Sequence, residues 1–170
     1  MIAESRMSSL THEWHLKREN GIKYWIQIRN FTKKMNWRSG KEVYSRRFKI
    51  SESVFRIDVY PNGISAKEKG HVSVYLCNES NWRVKLSDVT FAVVGHKRIC
   101  ESDYYQAEGS WGLDQFVSHE QIEDEGLLDE DGEFTLEIDV QLQEEEGVAS
   151  RPIDIEGDDL LAVIGLGELL

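Results

Sequence analysis

Five histidines and two cysteines are the first residues to question, because imidazole and thiolate most often hold a metal or attack a substrate. His12 and His15 stand three apart in "HEWH", which is not the HExxH zinc motif, and no carboxylate or cysteine follows at a matching distance. His71, His96 and His119 are scattered singly, the pattern of surface or internally satisfied histidines. Cys77 and Cys100 form no CxxC pair, which suits buried free thiols in a reducing compartment. "DEDG" (129–132) is a fragment of a calcium loop without the ligand spacing or closing Glu of an EF-hand, and reads as a tight acidic turn. No serine lies in GxSxG, and no glycine-rich phosphate cradle is present. The expectation is a chain that is not an enzyme and carries no metal and no cofactor.

What remains is aromatic. Tyr75 falls on the polar face of "HVSVYLCN" (71–78), opposite Val72, Val74 and Leu76. Trp111 sits in "GSWGL", where flanking glycines would let another backbone come close. The bland reading is core or edge packing. The sharper one is a shallow groove that takes an extended peptide along a strand edge.

The elements that must position these residues follow from a period of two. Ile22, Tyr24, Ile26 and Ile28 alternate with polar residues, as do Phe55, Ile57 and Val59 before the turn "PNG" at 61–63. "VYSRRFKI" (43–50), "HVSVYLCN", "WRVKL" (82–86) and "VTFAVV" (89–94) continue the theme, with 95–103 left as a polar connection. "EFTLEIDVQL" (133–142) is the cleanest strand in the chain. One short helix is expected in "SHEQIEDEG", opened by a Ser118–Gln121 capping box and closed by Gly126. The sum is an all-β protein, an antiparallel β-sandwich of about 7–8 strands with one short helix and terminal extensions.

Residues 21–145 are read as the domain. Residues 1–20 are an N-terminal extension in which Met7, Leu10 and Trp14 stand at helical spacing, giving a short helix on the domain or the remnant of an oligomerising one. Residues 146–170 are an acidic linker containing Pro152 and a short apolar tail. Charge divides along the chain: Lys and Arg outnumber Asp and Glu twelve to four over residues 1–50 and are outnumbered eight to twenty-seven beyond. The overall charge of −11 disfavours nucleic acid as the main ligand, although "KKMNWRSGKEVYSRRFK" (33–49) could form a local positive patch rather than a solvated face. "LLAVIGLG" is far short of the roughly 20 residues that span a bilayer, and no signal-peptide pattern opens the chain. No membrane association is expected. A cytoplasmic protein is the first expectation, a nuclear one the second.

With these landmarks in order, the chain resembles the MATH domain, also called the TRAF-C or TRAF-like domain. They are "IQIRNF" (26–31), "FRIDVYPNG" (55–63), "KGHVSVYL" (69–76), Trp82 leading to "VTFAVV", "SWGLDQFVSHEQI" (110–122) and "GLLDEDGEFTLEIDVQL" (126–142). The resemblance implies an antiparallel sandwich that holds short linear motifs of partner proteins beside an edge strand. It also implies an adaptor role in the ubiquitin pathway or receptor signalling. By motif, the peptide-binding groove would use Tyr75, Val89, either Tyr104 or Tyr105, and the edge segment Ser110, Trp111, Gly112 and Leu113. Cullin-adaptor members place an acidic residue before the Trp and an aromatic two after it; here those positions hold Ser110 and Leu113. The alternative function is an oligomerisation scaffold, a homo-oligomer built through the N-terminal extension and the apolar tail. No BTB, RING or protease domain is recognisable, which leaves a stand-alone module, a shortened product and an excised piece all open.

Overall fold

Phe134, Leu136, Ile138 and Val140 alternate with polar residues along the strand Phe134–Leu142, and all four are sealed from solvent. The computed structural model describes residues 4–7, 11–100 and 104–142, with the backbone alone described for 4–7 and Tyr104. In chain order the strands are β1 (Glu4–Met7), β2 (Thr11–Arg18), β3 (Gly21–Ile28), β4 (Val43–Tyr44), β5 (Phe48–Ile50), β6 (Ser53–Tyr60), β7 (His71–Asn78), β8 (Val84–Val93), β9 (His96–Cys100), β10 (Tyr104–Tyr105), β11 (Ser110–Ser118) and β12 (Phe134–Leu142). Helix α1 (Phe31–Lys34) follows β3, and α2 (His119–Glu125) follows β11.

All pairings are antiparallel and they form two sheets. One runs β1-β2-β3-β12-β8-β10, with β9 also paired to β8; the other runs β11-β7-β6-β4, with β5 also paired to β6. Ile22, Ile26 and Ile28 from the first sheet face Phe55, Ile57, Val59, Val72, Val74 and Leu76 from the second, all fully buried. The antiparallel sandwich expected from the alternation is therefore present.

The turn after β6 is built as its residues suggest. Gly63 adopts φ +89°, and its amide donates to the Tyr60 carbonyl at 3.1 Å. Asn62 is buried and donates to the Trp37 carbonyl while accepting from the Gly70 amide, both at 2.8 Å. The α2 capping box is formed, with Ser118 and Gln121 bonding each other's backbone amides and Gly126 left-handed at the C-terminus.

Three expectations are corrected. Residues 11–18 are a strand and not a helix: they pair with β3 continuously from Thr11–Ile28 to Arg18–Gly21, and Trp14 stacks on Trp25 directly across that pair at 5.8 Å. The two runs expected at 82–86 and 89–94 are one strand, β8 (Val84–Val93), interrupted by a bulge. Val140 pairs with Val89 and Leu142 with Leu86, so one extra residue at Ser87–Asp88 shifts the inward set from 84 and 86 to 89, 91 and 93. The polar connection contains β9, which folds back on β8 with Val93 paired to His96.

Candidate protein-interaction site

Among the described residues, strand β11 is the outermost strand of its sheet and pairs only with β7. Gly112 lies opposite Tyr75, and the two strands run so close there that a Cβ on Gly112 would stand 2.0 Å from the Val74 carbonyl oxygen. The missing side chain is what lets Tyr75 lie flat against the strand edge.

The pairing of β11 with β7 shifts between Leu113 and Val117, and that bulge is held from both sides. Ser73 Oγ donates to the Asp114 carbonyl at 2.6 Å. From β9, Arg98 donates to the carbonyls of Gln115 and Phe116 at 3.2 and 3.1 Å, and a ring nitrogen of His96 lies 3.1 Å from the latter. Ser110–Asp114 therefore forms the part of the outer edge without a neighbouring strand among the described residues.

Side-chain direction divides this edge in two. Tyr75, Ser110 and Gly112 share the outer face of the sheet. The Tyr75 hydroxyl donates to the Asp114 carboxylate, and its ring meets Tyr60 edge-on at 6.0 Å. Burial, reinforced by the bond to Asp114, pushes the Tyr75 hydroxyl above its ordinary pKa, so it stays a neutral donor. Beside it, Arg56 clamps Asp58 with bonds of 2.9 and 3.1 Å and lies over the Tyr44 ring at 4.8 Å. Trp111 and Leu113 sit opposite Leu76 and Val74, on the face toward the other sheet. Leu113 packs against the core, whereas Trp111 is 52% exposed. An inward-directed indole half in solvent marks a seam that the second sheet does not close.

Tyr75, Ser110, Trp111, Gly112 and Leu113 are thus brought together. Val89 and Tyr105 are not, and their assignment to the groove is corrected. Val89 is 1% exposed on the inner face of β8, paired with Val140 and Cys100 in the opposite sheet. Tyr105 is 2% exposed, its carbonyl held by Asn78 Nδ2 at 2.9 Å. Tyr104 is the residue before it in β10, paired with Lys85. Sequence reasoning missed Asp114, Tyr60 and the Arg56–Asp58 clamp. Asp58 could have been suspected, since it lies opposite Tyr75 once β6 and β7 pair.

Cys77 and Cys100 are buried and unpaired with each other. Asp129, Asp131 and Glu133 converge, but the Asp129 carboxylate already accepts from the amides of Asp131 and Glu133 and from Gln27, so it braces the acidic turn. Among the described residues no helix is long and apolar enough to cross a membrane.

The geometry is that of a two-sheet antiparallel sandwich with an open rim strand and aromatics on both of its faces. The MATH domain profile matches residues 23–140, and the chain belongs to that family, a family of protein-interaction modules. No curated protein matches the chain significantly.

Proposed function

We propose that the protein binds short linear segments of partner proteins along Ser110–Asp114, as an adaptor in ubiquitin-pathway or receptor signalling. The observation that supports this reading is the outer edge of β11, without a second neighbouring strand among the described residues, with half-exposed Trp111 on one face and Tyr75 on the other. An added strand would gain backbone hydrogen bonds of about 0.5–1.5 kcal/mol each. Burying a partner side chain against Trp111 or Tyr75 adds about 1.5–3 kcal/mol apiece. After ordering costs, one site gives roughly micromolar affinity, and avidity would supply more.

The test is a peptide-library screen on the full chain, repeated with Trp111→Ala and Tyr75→Ala. Both variants should keep the native melting transition and lose the selected peptides. Retained capture by both would overturn the assignment, and so would unfolding of both, which would make these residues structural.

A further inference from the structure

On the opposite side of the sandwich, β2 breaks the pattern that builds the core. Its inward-facing residues are Thr11, Glu13, His15 and Lys17, while the same face of the adjacent β3 presents Ile22, Tyr24, Ile26 and Ile28. A strand that offers only polar groups to the interior cannot seal it. A cavity of about 500 Å³ opens there between β2 and β5. Its floor is an aromatic stack, His15 on Tyr24 at 6.0 Å and Tyr24 on Phe48 at 4.4 Å.

The rim is cationic. Lys17, Arg46, Arg47 and Lys49 are all exposed around it. Arg47 pairs with Glu79 at 2.8 Å, but Lys17, Arg46 and Lys49 have no carboxylate partner among the described residues. Glu13, the one acid among the described lining residues, makes no ion pair with any of them. Its Oε1 accepts from the Tyr24 hydroxyl at 2.6 Å and the Arg46 amide at 3.0 Å, and its Oε2 accepts from Thr11 at 2.9 Å. That carboxylate staples the two sheets together, and its single negative charge offsets only part of the positive charge of Lys17, Arg46 and Lys49.

We propose that this cavity is a second docking site, which takes a short acidic segment of a partner protein carrying an aromatic residue between carboxylates. The ring would extend the His15–Tyr24–Phe48 stack, and the flanking carboxylates would meet Lys17, Arg46 and Lys49. Complementarity of charge favours this occupant, because concentrated cations on a chain of net charge −11 attract anions locally without making the whole surface attractive to them. A compact cavity suits a few residues and not a polyanion that needs a long basic track.

The experiment titrates the full chain into the fluorescein-labelled peptide Glu-Glu-Phe-Glu-Glu at low and physiological salt. Binding should weaken with salt, as for exposed charges. It should fall at least about fivefold for both Gln-Gln-Phe-Gln-Gln and Glu-Glu-Ser-Glu-Glu. The pair Lys17→Glu and Lys49→Glu should weaken it about tenfold or more, and the milder Arg46→Gln about threefold, each with an unchanged melt. Lys67→Glu with Lys97→Glu makes the same change in net charge away from the cavity and should leave binding unchanged.

Equal weakening by that distant pair, or wild-type affinity in the Lys17/Lys49 pair, would overturn the proposal. Indifference to the Phe would overturn it too, since the rim would then be a general anion surface. A tenfold gain on changing Glu144, Glu145 and Glu146 to Gln would name this chain's own acidic segment as the occupant, and the partner reading would fall.

Discussion

Gly112→Ala is the sharpest perturbation of the β11 edge. The new Cβ would lie 2.0 Å from the Val74 carbonyl oxygen and 2.7 Å from Tyr75 Cα, both backbone atoms that no rotamer change can move aside. Relief requires β11 to retreat from β7 by about 1 Å, in an interior that transmits strain because it is close-packed. The retreat strains the pairs Ser110–Cys77, Trp111–Leu76 and Leu113–Val74 on either side. Overpacking costs about 1–3 kcal/mol. Two weakened ladder hydrogen bonds at about 0.5–1.5 kcal/mol each bring the expected loss to about 3 kcal/mol. With a urea slope of about 1.5 kcal/mol/M, the unfolding midpoint should drop by about 2 M. Gly95→Ala is the control, because a Cβ there meets nothing within 4 Å and its φ is not left-handed. If Gly112→Ala unfolds within about 0.5 kcal/mol of that control, the close approach of β11 to β7 is wrong, and with it the placement of Tyr75 against the edge.

Three further outcomes are expected. Ser118→Ala removes the acceptor for the Gln121 amide and should cost about 1 kcal/mol in denaturant unfolding. Val94, 74% exposed and β-branched, is held at φ 49°, so Val94→Gly should stabilise by about 0.5–1 kcal/mol; a loss would show the hairpin needs the side chain. The Cys77 thiol is pushed up from 9.0 to about 12, chiefly by burial and then by Asp58. The unfolded chain therefore releases this proton first, and stability that is fully present below pH 9 should be lost between pH 9 and about 12. A Cys77→Ala variant should show a shallower alkaline decline, and an unchanged one would refute the assignment.

What could be read beforehand depended on whether burial coincides with alternation. β12 and β7 carry apolar residues at every second position on their inner faces, and both strands lie where the alternation put them. The bulge at Ser87–Asp88 hid the continuity of β8, because adding one residue flips the inward set and makes one strand look like two. β9 offered almost no signal: in "HKRIC" only Cys100 is buried, and Ile99 is 61% exposed. β2 misled for a different reason. Its inward positions are polar, so the chance spacing of Met7, Leu10 and Trp14 stood out instead. Of the residues the motif resemblance singled out, Tyr75 and Ser110–Leu113 lie side by side on paired strands. Carrying Val89 and Tyr105 over by motif ignored side-chain parity, which turns both into the core. Asp114 was out of reach, since its carboxylate meets Tyr75 only across the irregular register of β11.

The bulge in β11 bears on solubility as well as on the proposed recognition. A long, flat, unpaired border would let identical molecules stack through it without end, the route to cross-β aggregation. Here the straight portion stops at Asp114, and the guanidinium of Arg98 occupies carbonyls just beyond it. About five residues are enough to seat a visiting segment and too few to template a growing fibril.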